Sequence, residues 1–498
     1  MSTPTTTLPT QNSLDPCTFV LFGATGDLAQ RKLAPALYTL FRENLLPANF
    51  ALLAYARRDK NDDVFRADLK AAIEKFAPKL PTDDDKWNEF AALCFYQRGE
   101  FDKAEGYHAL AERLDAMDKE RGTPCNRLYY LAIPPEQYEM VIEHLGQAKL
   151  SQMKDNCGMW ARVIVEKPFG YDIATAHRLN QTILRRFSED QVYRIDHYLG
   201  KETVQNILVF RFANELFEPL WNGNYVDHVQ ITVAESIGLE GRGNYFDEAG
   251  ITRDIIQNHA LQILTLCAME PPVALDAGSV RDEKVKVLRA IRPIPPADVP
   301  HATVRGQYDG YRTEEGVPPD STTETFSALR LHIDNWRWGG TPFFVRAGKC
   351  LPRRVTEVAI TFKPIPQVLF AKMERTGVRP NVLVLRIQPD EGIVLQVGAK
   401  EPGPAMRLTP VDMEFAYKDS FPHAPIADAY ERLLLDAIRG DASLFARGDE
   451  VEAAWNLLSP VLDAWKTRPG DVVPYFKGTW GPGKANDLLG EGRVWREP

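Results

Sequence analysis

The sequence TFVLFGATGDLA, residues 18–29, decides the fold of the N-terminal part of the chain. Its first five residues form a short apolar run, as in a strand buried on both faces, and they lead into a tight turn with glycine at positions 23 and 26. Apolar residues then recur at helical spacing from Leu33 to Phe41, and a second apolar run covers 50–55. Strand, glycine turn, helix and strand in this order predict the βαβ unit of a doubly wound domain.

The pattern changes in the second half of the chain. Apolar runs over 127–133 and 162–166 continue the alternation of strands and helices to about residue 195. Beyond it, apolar and polar residues alternate at 229–233, 329–333, 358–362, 383–387 and 393–397. Such alternation is typical of strands with one solvent-facing side, so it predicts a mainly antiparallel sheet. Helices are predicted beside this sheet over 247–269 and 427–439.

The predicted fold class is therefore α/β plus α+β. We expect a disordered tail over 1–14, a nucleotide-binding domain over 15–196, and a larger α+β domain for substrate binding and oligomerisation over 197–498. The tail is rich in Ser, Thr and Pro and lacks the pattern of a secretory signal.

Composition excludes several classes of protein. The chain has 498 residues and a net charge of -9, whereas nucleic-acid binding needs a basic surface. No apolar stretch approaches the ~20 residues of a membrane-spanning helix. The six cysteines are scattered and form no CxxC pair. This favours reduced thiols, a cytoplasmic location and no zinc site.

The glycine turn offers a site for a dinucleotide, because glycine lets a pyrophosphate approach the N–H groups of a helix N-terminus. The candidate contacts are Gly23, Ala24, Thr25, Gly26, Asp27 and Leu28. After the second predicted strand the chain has Arg57 and Arg58 instead of an acidic residue that would bind a ribose 2′-hydroxyl. A guanidinium can pair with a 2′-phosphate, so NADP is favoured. A plain strand-to-helix turn with two solvated arginines is the alternative.

A cluster of polar residues follows the last predicted strand of the first domain. Asp196, His197, Tyr198 and Lys201 bring a carboxylate, an imidazole, a phenol and an ammonium group into one short segment. His197 and Lys201 are four residues apart, so on a helical turn both could bind one phosphate. The segment lies at the predicted domain boundary, where such folds place substrate clefts. A solvated charged face is the alternative.

Other polar residues interrupt apolar segments. Asp254, Asn258 and His259 fall within the long predicted helix, and Glu235 and Lys349 each follow a predicted strand. Burying an aspartate or a histidine costs free energy unless a partner or a ligand satisfies it. These residues are therefore candidates for a binding site, although a lone buried histidine is more often a satisfied core residue.

Taken together, these motifs resemble those of glucose-6-phosphate dehydrogenases. The matching stretches are GATGDLA (23–29), VEKPFG (165–170), RIDHYLGKE (194–202), GRGNYFDEAG (241–250) and AYERLLLD (429–436). RIDHYLGKE is the most specific, and matches extend from about residue 18 to about residue 440. The resemblance implies a Rossmann domain and a larger domain whose antiparallel sheet makes the subunit contacts of a homodimer or homotetramer.

The resemblance also implies a reaction and roles for individual residues. The reaction is the oxidation of β-D-glucose 6-phosphate to 6-phospho-D-glucono-1,5-lactone by NADP, the first step of the oxidative pentose phosphate pathway. His259 resembles the general base and Asp196 the carboxylate that orients it. The implied substrate contacts are Lys167, His197, Tyr198, Lys201, Glu235, Asp254, Lys349 and Arg354. The implied cofactor contacts beyond the glycine turn are Arg57, Tyr138 and Lys167, and no metal is required.

Three small departures and three alternatives remain. The stretch between Tyr138 and Arg162 is expected to be longer than in some members of the family. Gln30 and Arg354 stand where the family often has lysine, which for Arg354 keeps the charge and changes the geometry. Short-chain reductases and epimerases also use GATG turns, but they need a Tyr-x-x-x-Lys pair, and Tyr198 is only three residues before Lys201. Another NADP-dependent sugar-phosphate dehydrogenase is a further alternative. A redox-sensing regulator would have no reason to keep the proposed base beside a phosphate-binding cluster.

Overall fold

The computed structural model describes residues 14–152, 159–366, 379–422 and 427–498. Apart from Leu14, the predicted tail lies outside these residues. The chain forms two compact units. The first contains the chain up to Gly170, together with His177–Gly200 and Ala427–Gly448, and the second contains Tyr171–Ala176, Lys201–Ile426 and Asp449–Pro498. The exact domain boundaries stay a prediction.

A seven-stranded sheet forms the centre of the first unit. Numbered in chain order, its strands are β1 (Thr18–Phe22), β2 (Ala51–Ala56), β3 (Cys94–Arg98), β4 (Arg127–Leu131), β5 (Ala161–Val165), β6 (Val192–Ile195) and β15 (Phe445–Ala446). The strand order is β15-β6-β5-β4-β1-β2-β3, and every pair is parallel except β15 with β6. Every residue of β1, β2 and β4 is buried, as the continuous apolar runs require in a covered parallel sheet. The doubly wound prediction is confirmed.

A nine-stranded sheet forms the centre of the second unit. Its strands are β7 (Val226–Ala234), β8 (Thr303–Tyr308), β9 (Phe326–His332), β10 (Pro342–Gly348), β11 (Val355–Phe362), β12 (Val382–Gln388), β13 (Gly392–Lys400), β14 (Leu408–Ala416) and β16 (Val472–Tyr475). The order is β14-β13-β12-β11-β7-β10-β9-β8-β16. Only the pairs β7 with β10 and β8 with β16 are parallel, so the sheet is mainly antiparallel, as predicted.

Helices connect and cover these strands. The α-helices are α1 (Ala34–Arg42), α2 (Asp62–Phe76), α3 (Asp85–Ala91), α4 (Ala104–Arg121), α5 (Tyr138–Gln147), α6 (Ile173–Leu184), α7 (Glu202–Phe212), α8 (Gly243–Ile251), α9 (Leu261–Ala268), α10 (Ala277–Ala290), α11 (Val299–Ala302), α12 (Tyr417–Ser420), α13 (Ala429–Arg439) and α14 (Gly448–Lys466). Ala29–Leu33 and Thr252–Ala260 are π-helical, and short 3₁₀ turns occupy Pro135–Gln137, Glu189–Gln191, Glu218–Leu220, Tyr311–Thr313, Pro469–Asp471 and Gly483–Leu489. Within the described residues, no helix is long and apolar enough to cross a membrane.

Local sequence explains where several helices begin and end. The side chain of Asn61 accepts a hydrogen bond from the Val64 N–H over 2.9 Å and so caps α2. Helix α13 begins with a capping box formed by Asp428 and Glu431. It ends at Gly440, whose φ of 86° lies in the left-handed region that glycine adopts without strain.

Two expectations about helices need correction. The helix predicted over 247–269 is interrupted at Gly250, whose φ of 68° no continuous helix permits, and it continues as the π-helical segment and α9. The helix predicted beside the antiparallel sheet over 427–439 belongs instead to the first unit, where α13 packs against α1. The apolar stripe along α13 predicts that one face of the helix is buried, but it does not indicate which sheet packs against that face.

Candidate active site

The nucleotide-binding edge of the first unit collects many of the predicted residues. The glycine turn follows β1, Arg57 follows β2, and Lys167 lies shortly after β5. Because β1, β2 and β5 are all parallel members of one sheet, these residues lie at the same carboxyl edge. Doubly wound proteins bind their nucleotides at that edge.

The geometry of the glycine turn fits a dinucleotide. Gly23 has a φ of +77°, and a Cβ atom there would lie 2.1 Å from the carbonyl oxygen of Ala132. The N–H of Gly26 donates to the Gly23 carbonyl over 2.8 Å, which closes the turn immediately before the helix begins. A Cβ at Gly26 would lie 3.1 Å from that same carbonyl oxygen. Both glycines are therefore needed to keep the N-terminal N–H groups of the helix accessible to a pyrophosphate.

Arg57 is suited to bind an additional phosphate. It is exposed immediately after β2, and no described side chain forms a hydrogen bond or an ion pair with its guanidinium group. An arginine that is not already engaged by the protein can pair with a phosphate through two parallel hydrogen bonds. The position therefore fits the 2′-phosphate of NADP, as the sequence predicts. The neighbouring Arg58 is also exposed.

The polar residues after β5 and β6 emerge side by side, because these strands are parallel neighbours with Val165 opposite Arg194. Lys167 is half-buried, whereas Asp196 and Tyr198 are buried. The Asp196 carboxylate accepts a hydrogen bond from the Tyr198 N–H over 2.9 Å. Strand pairing thus brings Lys167 and the polar segment after β6 to the same place in the first unit.

Tyr138 is fully buried at the start of α5 and does not present its hydroxyl group to solvent. That hydroxyl donates to the main-chain oxygen of Glu166 over 3.1 Å, in the residue before Lys167. The structure therefore gives Tyr138 a supporting contact close to the predicted junction of cofactor and substrate. Its predicted contact with the cofactor stays a prediction.

In the second unit, two predicted substrate contacts form an ion pair. Glu235 follows β7 and Lys349 follows β10, and these strands are parallel neighbours. The Lys349 ammonium group donates to the Glu235 carboxylate over 2.5 Å and lies 4.9 Å from the centre of the Phe246 ring. Lys349 is only 3% exposed, so its charge is held in place by a carboxylate and an aromatic face.

The π-helical segment carries two further predicted residues, Asp254 and His259. His259 is 1% exposed, and Asp254 is half-buried. At their spacing of five residues, an α-helix would turn them roughly 140° apart, whereas a π-helix, whose hydrogen bonds join residues five apart, has more residues per turn. The segment therefore brings the two side chains closer to the same side than an α-helix would. Its start is fixed by Glu324, whose carboxylate accepts the Thr252 N–H over 3.2 Å.

A third cluster in the second unit contains a residue that the sequence analysis missed. The side-chain oxygen of Gln388, at the end of β12, accepts hydrogen bonds from Lys201 and, over 3.3 Å, from Arg354. The Gln388 amide group donates in turn to the Thr356 hydroxyl over 3.1 Å. Two cations that are predicted to contact the substrate thus share one acceptor. A polar residue at the end of a predicted strand was the available signal, as for Glu235 and Lys349.

These features define a class of protein: a two-unit oxidoreductase whose first unit binds a nicotinamide dinucleotide and whose second unit contributes carboxylates, cations and a buried histidine. The family model for the NAD-binding domain of glucose-6-phosphate dehydrogenase matches residues 20–206, and the model for its C-terminal domain matches residues 208–496. The chain belongs to the glucose-6-phosphate dehydrogenase family.

Individual relatives agree over nearly the whole chain. The glucose-6-phosphate 1-dehydrogenase of Aggregatibacter actinomycetemcomitans is 48% identical, with 97% of each chain covered. The glucose-6-phosphate 1-dehydrogenase 2 of Mycobacterium bovis is 45% identical, covering 97% of this chain and 95% of the relative. A solved structure of glucose-6-phosphate dehydrogenase in complex with its substrate glucose 6-phosphate is 38% identical, with a TM-score of 0.88, and covers 97% of this chain and 99% of that chain.

Proposed function

We infer that the protein oxidises β-D-glucose 6-phosphate to 6-phospho-D-glucono-1,5-lactone with NADP, the first step of the oxidative pentose phosphate pathway. The single observation that carries this inference is the match to relatives with this activity over 97% of the chain. NADP bound at the glycine turn supplies the acceptor for the hydride. The chain itself binds and orients the sugar and accepts its proton.

Individual roles follow from the chemistry of the side chains. We assign the phosphate group of the substrate to His197, Tyr198 and Lys201, and the remaining sugar contacts to Glu235, Asp254, Lys349 and Arg354. Lys167 is assigned to the point where cofactor and substrate meet. His259 accepts the proton of the C1 hydroxyl, because a neutral imidazole near pH 7 can act as a general base. Asp196 stabilises the imidazolium that forms. The fixed Glu235–Lys349 pair supports these assignments, since it presents a carboxylate and an ammonium group in one geometry.

The activity is tested by an absorbance assay for reduced nicotinamide. The purified protein is mixed with glucose 6-phosphate and either NADP or NAD, and then with fructose 6-phosphate or free glucose in place of the substrate. Turnover with glucose 6-phosphate and NADP, with little or none with fructose 6-phosphate, is the expected result. Faster turnover with another sugar phosphate would move the protein to a different substrate within the same class.

Arg57→Ala should weaken binding of NADP far more than binding of NAD. Loss of a charge-assisted contact costs roughly 1.5–3 kcal/mol, which corresponds to about one to two decades in affinity for NADP alone. The measurement is calorimetric titration of each cofactor. Arg58→Ala is the matched control, because Arg58 is equally exposed in the next position, and it should change NADP affinity little. Equal weakening of both cofactors by Arg57→Ala would remove Arg57 from the 2′-phosphate.

Lys201→Ala should raise the KM for glucose 6-phosphate by about one to two decades, because a cation is lost from the phosphate site. The KM for free glucose, which has no phosphate, should stay nearly unchanged. Lys363→Ala is the control, since Lys363 lies in the same unit and, among the described residues, donates only to the main-chain oxygen of Gly223. A similar loss with both sugars would show that Lys201 supports the fold or the chemistry instead.

We also propose that the protein is a homodimer or a homotetramer. The support is the outer strand β14, which presents the exposed apolar side chains of Val411 and Met413 at one edge of the antiparallel sheet. Unpaired sheet edges with apolar side chains are common subunit contacts. Light scattering across a range of concentrations gives the molecular mass, and a monomer at every concentration would reject the proposal.

A cytoplasmic location is proposed on two grounds. Four of the described cysteines, Cys17, Cys94, Cys267 and Cys350, are free thiols. Burial raises the pKa of the Cys17 and Cys267 thiols to about 12, which keeps them protonated and unreactive. Reduced thiols are typical of the cytoplasm, and so is a supply of phosphorylated glucose. Fractionation of cells that express the protein tests the location.

A further inference from the structure

A buried glutamate lies near the carboxyl ends of the parallel strands in the first unit. The reaction proposed above gives this residue no role. Glu166 directly follows β5 and is 8% exposed. The Tyr130 hydroxyl donates to its Oε1 over 2.5 Å. The Tyr430 hydroxyl is close enough to the same carboxyl group to lower the pKa of Glu166 by hydrogen bonding. The main-chain oxygen of Glu166 accepts the Tyr138 hydroxyl over 3.1 Å. Three tyrosines therefore fix both ends of this residue.

Keeping a carboxyl group at this position costs stability. Burial raises the pKa of Glu166 to about 7, although the two tyrosine hydroxyls and Lys167 act to lower it. A group that is buried at a cost and held by several hydrogen bonds is a candidate for a functional role. The neighbouring residue that Glu166 can hold in place is Tyr430.

Tyr430, the second residue of α13, connects Glu166 with His197. Its ring stacks on the imidazole ring of His197, with centroids 6.4 Å apart and an interplanar angle of 6°. Offset stacking at this distance is a favourable geometry for two rings. The start of α13 also lies against the segment after β6, since a Cβ at Gly200 would be 2.6 Å from the Ala429 oxygen. Tyr430 thus interacts with Glu166 through its hydroxyl group and with His197 through its ring.

We propose that Glu166 is a positioning residue, whose carboxyl group holds Tyr430 so that the Tyr430 ring fixes His197 in the orientation that binds the phosphate of the substrate. The proposal rests on the phosphate-binding role of His197 under the proposed function. Without its hydrogen bond to the carboxyl group, the Tyr430 ring can rotate about its side-chain bonds, and the imidazole loses the flat surface that orients it. Glu166 touches neither substrate nor cofactor in this scheme.

The test is a double-mutant cycle with Glu166→Gln and His197→Ala, measured on the intact protein. Glutamine keeps the shape of Glu166 but replaces one acceptor by a donor. Glu166→Gln alone should raise the KM for glucose 6-phosphate about three- to tenfold, as expected for one lost hydrogen bond. Both kcat and the KM for NADP should stay within about twofold. In the His197→Ala protein, the same Glu166→Gln change should alter the KM for glucose 6-phosphate by less than about twofold.

Two further variants keep the test decisive. Tyr430→Phe keeps the stacked ring and removes the hydroxyl group, so it should reproduce the effect of Glu166→Gln, and its cycle with His197→Ala decides the question if Glu166→Gln does not fold. Tyr129→Phe is the control, because Tyr129 is also buried and its hydroxyl donates to the Leu150 oxygen over 2.9 Å instead of to Glu166. It should leave both KM values unchanged.

The possible outcomes separate this proposal from the proposed function. If the unmodified protein does not oxidise glucose 6-phosphate, the proposed function fails first. If His197→Ala leaves the KM for glucose 6-phosphate unchanged, His197 does not bind the phosphate, and the proposal for Glu166 fails with it. If His197→Ala raises that KM but Glu166→Gln acts by the same factor in both backgrounds, or lowers kcat instead, then Glu166 has only a structural role.

Discussion

Replacement of His259 by asparagine should lower kcat by about 10²- to 10⁴-fold, because asparagine keeps the approximate shape of the side chain but cannot accept a proton. The affinity for glucose 6-phosphate should barely change, since the lost interaction acts mainly as the proton is transferred. The measurements are kcat at saturating substrate and equilibrium binding of the sugar. A variant that kept more than about a tenth of its turnover would reject His259 as the base, and His197 would be the next candidate.

The second unit offers a matched control for this experiment. His228 lies in β7, is 5% exposed, and its Nδ1 lies 2.7 Å from the Asp227 carboxylate. It is thus a buried histidine beside an aspartate, but outside the predicted site. His228→Asn should leave kcat within a few-fold of the unmodified value. A comparable loss with His228→Asn would mean that buried histidines support the fold, not the chemistry.

Asp196 extends the same prediction. Asp196→Asn should also lower kcat, because the imidazolium that forms at His259 would lose its counter-charge. Residues that act as a unit are not additive, so the double variant should be little slower than His259→Asn alone. The check is a double-mutant cycle on kcat. If the two effects simply multiplied, Asp196 would act independently of the base.

Gly23→Ala should abolish measurable NADP binding or prevent the first unit from folding. The new Cβ would lie 2.1 Å from the Ala132 carbonyl oxygen, so the backbone would have to shift at the sheet edge that forms the site. The left-handed conformation at a φ of +77° adds roughly 1–2 kcal/mol for any residue with a Cβ. The measurements are Tm and a calorimetric titration with NADP.

Gly122→Ala separates the cost of the steric contact from the cost of the left-handed conformation. Gly122 ends α4 with a φ of +62°, and a Cβ there would meet no atom within 4 Å. This control therefore carries the conformational cost alone, roughly 1–2 kcal/mol, and should lower Tm slightly while NADP still binds. Equal effects of the two changes, or a Gly23→Ala protein with nearly unchanged NADP affinity, would show that the close contact at Gly23 does not shape the nucleotide site.

Sequence alone determined the features that depend on neighbouring residues. Period-two and period-3.6 patterns predict a parallel sheet followed by a mainly antiparallel one, because side-chain direction along a strand or helix is set locally. The glycine turn and Arg57 indicate the cofactor for the same reason, since a strand, its turn and the next strand lie within one βαβ unit. The roles of His259, Asp196 and the cations came from the family resemblance and stay predictions.

Tertiary structure decided the features that depend on residues distant in the chain. No local pattern could show that α13 belongs to the first unit and brings Tyr430 between Glu166 and His197, because an apolar helix face packs against either sheet equally well. The π-helical geometry around Asp254 was also hidden, since it needs Gly250 and the Glu324 carboxylate to fix the start of the segment. Gln388 could be identified only from the structure, because strand pairing places it beside Lys201 and Arg354. The periodicity of apolar residues predicts which side of a helix or strand is buried. Only the tertiary structure shows which residues pack against that side.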